Sequence, residues 1–351
     1  MKRKADRALK MIAEWLEPRG LRLAPEKSEA IYLTGRREFE RRNLWLEGVV
    51  VEPAPAVRYL GYILDTNTNG GEHLKMACAK AAKAANQIAR LMPNMDGPKE
   101  AKRRLLTSVV KSILLFASPV WPKAMLQAKE RREALRKVQR TTALRTIRAY
   151  KTVGTMEVLV LTGDVPWDYV AAERKERYES PEVTFEASRE SSLRDWQIEW
   201  REHTDERNDR EDSDLELYGE GVGNIVPDIR QWLNRPHGVL SYHLTQALTG
   251  HGNFGVYLKK HGLKTSDACE YCETAARDTV RHTIFECPAW ENVRRTCPPE
   301  VTGAGTVKAL LAYMLQSEER WSRGAALMEG VMRQKQEEKR ERERRPRRGA
   351  V

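Results

Sequence analysis

Long apolar runs are missing from this 351-residue sequence: none approaches the roughly 20 residues that a membrane-spanning helix needs. The basic first ten residues are not followed by a signal-peptide core. A soluble, intracellular protein is the expectation. Cysteine is scarce as well, five residues in all, with Cys78 isolated and the other four packed between residues 269 and 297. An odd count so distributed is unlike a disulfide framework and like a metal site in a reducing compartment. Acidic side chains fall short of basic ones, 50 against 61, which leaves a net charge of +11 and a pI near 9.4. That balance favours a polyanionic partner over an acidic small molecule, with nucleic acid first and an anionic membrane second.

At this length two or three units are expected, and 40% hydrophobic residues suffice for a core. The pattern predicts an α+β protein that is mostly α. Ala5, Leu9, Ile12 and Leu16 share one helical stripe, which Pro18 and Gly20 end. Residues 21–23, 30–33, 44–51 and 57–64 are short apolar or alternating runs, expected as small antiparallel strands. From Gly71 the period turns helical. Leu74, Cys78, Ala81, Ala85, Ile88 and Met92 recur on one face, Asp96-Gly97-Pro98 breaks the chain, and Leu105, Val109, Ile113 and Phe116 give a second apolar face.

Residues 129–148 form a third helix carrying eight Arg or Lys side chains, read as a solvated face or as a phosphate contact. Residues 173–220 alternate dense charge with little apolar periodicity and read as a linker or exposed helix. The acids Asp209, Glu211, Asp212 and Asp214 within them are assigned no chemistry. Val307, Leu310, Leu311, Met314 and Leu315 make a further helical stripe. Residues 333–348, with nine basic and four acidic side chains, should be a helix that frays into disorder.

Cys269, Cys272, His282 and Cys287 form the pattern C-x2-C-x9-H-x4-C. Two close thiolates clamp one side of Zn2+ from a tight turn, and a downstream His and Cys complete a tetrahedron with no open position for water. A structural zinc is expected, with Cys297 as a competitor for the place of Cys287. Tyr271, Phe285 and Trp290 lie near Arg277, Arg281, Arg294 and Arg295 in the sequence, a mixture of planes and cations that suits unstacked bases and phosphates, though such aromatics serve equally as packing. His251, between Gly250 and Gly252, is a weaker candidate for nucleic-acid contact and otherwise part of a turn.

Three segments together carry a resemblance: Gly20-Leu21-Arg22-Leu23-Ala24-Pro25-Glu26-Lys27-Ser28-Glu29, Tyr59-Leu60-Gly61-Tyr62-Ile63-Leu64-Asp65, and Leu248-Thr249-Gly250-His251-Gly252 followed by the cysteine cluster. In this order they resemble the Pol polyproteins of non-LTR retrotransposons, above all those of type-one elements that insert into arthropod ribosomal genes, from residue 1 to about residue 295. The resemblance implies a division into the end of a reverse-transcriptase palm with a primer-grip-like strand (1–66), a helical thumb and connection (67–172), a charged linker (173–226), the Gly-His-Gly turn with a CCHC zinc knuckle (227–300), a helix (301–332) and a basic tail (333–351). Lys27 then resembles a lysine that approaches incoming nucleotide phosphates, though it also fits a strand edge. Tyr59, Leu60 and Gly61 fall on the primer-gripping strand.

Polymerases of this family hold two Mg2+ ions with paired aspartates, usually in a Tyr/Phe-x-Asp-Asp turn, and this sequence contains no Asp-Asp pair. The expectation is a carboxy-terminal fragment of a reverse transcriptase and endonuclease. It has no catalytic residue of its own and a need for Mg2+ only in the intact parent. Neither the family's apurinic-type endonuclease nor a restriction-like nuclease is recognised. The implied partners are RNA and DNA (the element transcript and its target) in the nucleus, with no membrane and no small-molecule substrate. The alternative is a free-standing zinc-knuckle RNA- or DNA-binding protein derived from an inactive element copy; an adaptor whose charged linker binds proteins is a third.

Overall fold

The computed structural model describes residues 2–34, 36, 38–121, 123–208 and 221–344. Helix α1 (Lys2–Leu16) ends where the sequence predicts: Pro18 opens a single 3-10 turn and Gly20, at φ 70°, closes it. Ile12 and Trp15 on its apolar stripe are exposed. Six short strands follow: β1 (Ala30–Ile31), β2 (Leu44–Leu46), β3 (Val49–Val51), β4 (Pro53–Ala54), β5 (Ala56–Tyr59) and β6 (Tyr62–Asp65). The pairs β2–β3 and β5–β6 are antiparallel hairpins. Their two-residue turns, Glu47-Gly48 and Leu60-Gly61, have positive φ at both positions, the geometry that matches right-handed strand twist.

Two expectations for this region are corrected. Residues 21–23 form no strand, and β1 pairs with β4 in parallel because the intervening β2–β3 hairpin turns the chain back to its original direction. The run at 57–64 is two strands, with Leu60 and Gly61 at their turn. Buried His73 ties this hairpin to the helices: its Nδ1 accepts from the Ile63 N–H at 3.3 Å, its Nε2 lies 3.3 Å from the Phe116 carbonyl, and Tyr62 stacks on its ring at 4.2 Å.

The helical body comprises α2 (Gly71–Ala89), α3 (Glu100–Leu114), α4 (Lys123–Gln127), α5 (Lys129–Thr146), α6 (Thr155–Thr162), α7 (Trp167–Glu179) and α8 (Phe185–Asn208). Ala77, Ala81 and Ala85 are buried on α2, and their small side chains let α3 and α5 approach closely. On α3 the expected face is reversed. Leu105, Val109 and Phe116 are exposed, while Arg103, Thr107, Val110 and Leu114 point inward. Arg103 reverses the pattern because its guanidinium donates to the carbonyls of Met92, Pro93, Pro98 and Arg145, satisfying a loop that would otherwise bury unpaired oxygens.

The basic helix α5 is likewise only partly a solvated face. Arg136 is buried and grips Asp168 and Glu199 with paired hydrogen bonds, so it has no donor to spare for phosphate. The expected charged linker is mostly an ordered helix: α8 buries Trp196 and Trp200, and its Arg189 pairs with Glu173, which is itself buried on α7. Charged residues hid this because the two tryptophans, four residues apart, make a stripe only one side chain wide. The acidic stretch 209–220 lies outside the described residues.

Beyond it come α9 (Gly221–Ile225), α10 (Ile229–Leu233), α11 (Tyr242–Thr249), α12 (Gly255–Lys260), α13 (Glu291–Arg295), α14 (Pro299–Thr302), α15 (Val307–Met314) and the long α16 (Glu318–Arg344). The expected tail is therefore helical through Arg344, and it is docked: Val331, Met332 and Lys335 are buried. Residues 345–351 lie outside the described residues. One hydrophobic cluster runs from Leu74 on α2 to Met332 on α16 and includes Cys269 and Cys287. Among the described residues, no helix is long and apolar enough to cross a membrane.

Candidate metal centre

The cysteine cluster is assembled by two local devices. A narrow antiparallel bridge joins Ala268 to Arg277, and the Cys269 N–H donates to the Ala276 carbonyl at 2.8 Å, so the loop between them presents Cys269 and Cys272 together. His282 then opens one wide helical turn, His282–Glu286, which the Cys287 N–H closes on the His282 carbonyl at 2.7 Å. The ligand atoms of Cys269, Cys272, His282 and Cys287 all lie within 4.8 Å of one another.

Two of their separations match a tetrahedral ion. Cys269 Sγ and Cys287 Sγ are 3.8 Å apart, and Cys272 Sγ lies 3.5 Å from His282 Nε2. Zinc bonds of about 2.3 Å to sulfur and 2.0–2.1 Å to nitrogen place two tetrahedral sulfurs about 3.8 Å apart and a sulfur–nitrogen pair about 3.5 Å apart. The residues therefore fit a closed four-ligand zinc site. Cys297 is outside the group; its N–H caps α13 on the Arg294 carbonyl and its side chain packs against the core.

Burial pushes the Cys269 thiol above its ordinary range and that of Cys287 up to about 12. Burial would raise Cys272 too, but hydrogen bonds with Thr274 outweigh it and hold this thiol low. Desolvation lowers the pKa of His282, which favours the neutral imidazole that a metal requires. Two buried sulfurs that resist ionisation on their own are the ones a divalent cation between them would convert to thiolates.

Behind the ligands lies a buried ion pair that sequence reasoning missed. Lys335 of α16 is wholly buried; its Nζ donates to Asp278 Oδ1 at 2.5 Å and to Thr283 Oγ1 at 2.8 Å, and it lies 5.0 Å from the centre of the Phe254 ring. Asp278 also accepts from the Gly255 N–H at 2.8 Å and from Thr283 Oγ1 at 2.8 Å. One carboxylate thus joins α12, the ligand-bearing turn and α16. The available signal was slight: Lys335 follows the apolar pair Val331-Met332 at helical spacing.

The other expected site residues scatter in role. Tyr271 is covered, with Arg342 4.6 Å from its ring and Trp290 at 5.2 Å, so it is no open stacking platform. Arg294 is buried and donates to the Cys287 carbonyl and to Glu291, which makes it a support for the ligand loop. Arg281 and Arg295 are exposed but paired, with Glu286 at 2.8 Å and Glu291 at 3.3 Å. His251 faces the helical body: its Nδ1 is 2.9 Å from Thr152 Oγ1, and burial drives its pKa down to about 4. Far along the chain, Lys27 is exposed at the end of a short 3-10 turn. Tyr59 and Leu60 project from the β5–β6 turn, where Gly61 passes so close to the Phe116 ring that a Cβ would stand 3.1 Å from it.

No family model matches the chain, and no solved structure matches it. Curated relatives do. A Pol polyprotein from the type-1 retrotransposable element R1 2 of Nasonia vitripennis is 23% identical over 312 residues, covering 84% of this chain and 74% of the relative. The R1 Pol polyprotein of Bradysia coprophila is 22% identical over 82% of this chain, which spans only 29% of that relative. An R1 3 Pol polyprotein of Nasonia vitripennis is 23% identical over 328 residues. The resemblance carried by the segments at Gly20, Tyr59 and Gly250 thus extends over most of the sequence, and the chain is a relative of the Pol polyproteins of R1-type retrotransposable elements.

Proposed function

We propose that the chain holds nucleic acid for an R1-type Pol polyprotein, and that Cys269, Cys272, His282 and Cys287 bind one structural zinc. The observation that carries this reading is the closure of the four-ligand cluster together with its attachment through Asp278 and Lys335 to the long helix α16. A bound zinc supplies a cross-link and leaves no position for a reacting water. The chain's own residues do the rest: Arg294 supports the loop, the Lys335–Asp278 pair fixes its orientation, and the net positive charge attracts phosphate. Polymerisation is not proposed of these residues, since no adjacent aspartates are present to hold paired Mg2+ ions. Residues 67–172 act as the thumb-like support in this reading. The hydrophobic cluster shared by the knuckle and the helices makes the knuckle an integral part of this chain's body.

The test uses the full chain. Atomic absorption should find one zinc per molecule, and Cys272→Ser should lower that value. Fluorescence anisotropy with a labelled single-stranded oligonucleotide should give binding that weakens steeply as salt rises and weakens again on chelation. A metal-free, fully folded protein would overturn the zinc assignment. Absence of oligonucleotide binding at low salt would overturn the functional one.

A further inference from the structure

The cations beside the knuckle are largely neutralised: of those expected to contact nucleic acid, Arg277 pairs with Asp267, Arg281 with Glu286 and Arg294 and Arg295 with Glu291, and nearby Lys259 and Lys264 pair with Asp267 and Glu270. A cleft of about 500 Å³ lies elsewhere, where the 94–96 loop, Arg148, the start of α11 and the helix α16 meet. Glu329, Arg333, Gln336, Glu337 and Arg340 line it at helical spacing, so one face of α16 forms its wall. Arg148, Arg333 and Arg340 form no ion pair among the described residues. Arg148 instead donates to the Leu240 and Pro98 carbonyls, and Arg340 donates to the Met95 sulfur, at 3.7 Å.

Two buried atoms of residues lining this cleft, His243 Nδ1 and Gln336 Oε1, have no hydrogen-bond partner. Both atoms are covered in the ligand-free protein, so a turn of either side chain toward the cleft is what would give it a partner. Asp96 and Arg148 also hold left-handed backbone conformations, φ 54° and 59°, which put both side chains at the cleft.

We infer that this cleft seats one unstacked nucleotide of a single-stranded nucleic acid, with its phosphates on Arg148, Arg333 and Arg340 and its base edge against His243 and Gln336. The volume falls within the roughly 300–1,000 Å³ of small-ligand sites, enough for a nucleotide. Asp96, Glu329 and Glu337 share the lining and disfavour a bare polyphosphate. They accept hydrogen bonds from sugar hydroxyls and base amino groups, so the mixed charge suits a nucleoside-bearing ligand. The inference rests on the nucleic-acid reading above and assigns it a place.

The experiment compares the full wild-type chain with R333A/R340A and with K4A/K10A, which removes the same charge from exposed positions on α1. Arg333 and Arg340 are exposed and unpaired by carboxylates, so the variant should fold, and thermal melting checks this. Labelled oligouridine and oligodeoxythymidine serve as probes at several salt concentrations. For R333A/R340A the expected result is a loss of affinity on the order of tenfold or more and a fall of about 1.4 in the log–log salt slope, on at least one probe. A loss confined to oligouridine assigns the ligand as RNA; a loss on both assigns it as either strand. In parallel, a 4-thiouridine oligonucleotide should cross-link to the peptide containing Tyr242 and His243. Equal affinities for the two variants, or cross-links only to knuckle peptides, would overturn the cleft while leaving the wider reading intact. A wild-type chain that binds neither probe would overturn both.

Discussion

Between Gly71 and Asn208 the chain buries four tryptophans, Trp121, Trp167, Trp196 and Trp200, whereas between Gly255 and Cys287 it buries no side chain larger than Tyr257 and gathers three sulfurs and an imidazole instead. The first region is held by apolar area and by arginines that satisfy buried acceptors; Arg103 and Arg136 each sit inside it with their guanidinium groups hydrogen-bonded to oxygen or sulfur. The second buries less apolar bulk and is tied to a lysine from another helix, with a metal cross-link added in the reading proposed above. The contrast teaches that one continuous core can join regions whose stability has different chemical sources.

The largest expected effect separates them. Removing metal with a strong chelator, or changing Cys287→Ser, should forfeit binding energy on the order of 10 kcal/mol and abolish hydrogen-exchange protection across residues 263–290. The amides of α2, α5 and α8 should stay protected; loss of protection in both regions together would break the comparison. Trp196→Ala should do the reverse, destabilising the body by about 3–5 kcal/mol in urea unfolding while the folded fraction keeps its zinc. Lys335→Ala should cost a similar ~3–5 kcal/mol, because Asp278 is left charged and buried. Its mark should be loosening of both the knuckle and α16 in hydrogen exchange, and retention of either one alone would sever the proposed clamp.

A smaller effect comes from acid. Burial would raise the Glu157 carboxyl, but the hydrogen bond and charge of His203 and the charge of Arg207 overcome it and hold the pKa at about 2. A carboxyl depressed on folding stabilises above its ordinary pKa, and that contribution is lost as pH falls from about 4.5 towards 2. Glu157→Gln should therefore remove about 2–3 kcal/mol at neutral pH and flatten stability across that window. An unchanged pH profile would argue against the network. The smallest change is expected for Leu105→Gln on the exposed side of α3, within about 0.5 kcal/mol, against about 2–5 kcal/mol for Leu114→Ala.

Much of the architecture was legible. The helix ended by Pro18 and Gly20, the alanine-rich face of α2 and the stripe on α15 all follow from period and punctuation, which are local properties. The gathering of Cys269, Cys272, His282 and Cys287 was legible for the same reason: two cysteines in one tight loop and a His and Cys within one turn need little help from the rest of the chain. Illegible were the residues whose role depends on a distant partner. Arg103 reads as surface until its four carbonyls are seen, α8 reads as linker until Trp196 and Trp200 find their pockets, and Arg294 reads as a phosphate ligand until it turns to the Cys287 carbonyl.

By itself the sequence determined the spacing of the Cys/His cluster, the mostly helical class with a small β region, the cationic balance and the similarity to R1-type Pol polyproteins, since spacing, periodicity and charge are properties of neighbouring residues. Only the tertiary structure decided which cations are free. It placed Lys335 inside the protein against Asp278, neutralised the arginines and lysines around the knuckle with nearby carboxylates, and left Arg333 and Arg340 of the same helix facing an unfilled cleft. A charge acts through what lies within a few ångströms of it, and for Lys335, 57 residues from Asp278, only the folded chain sets that distance.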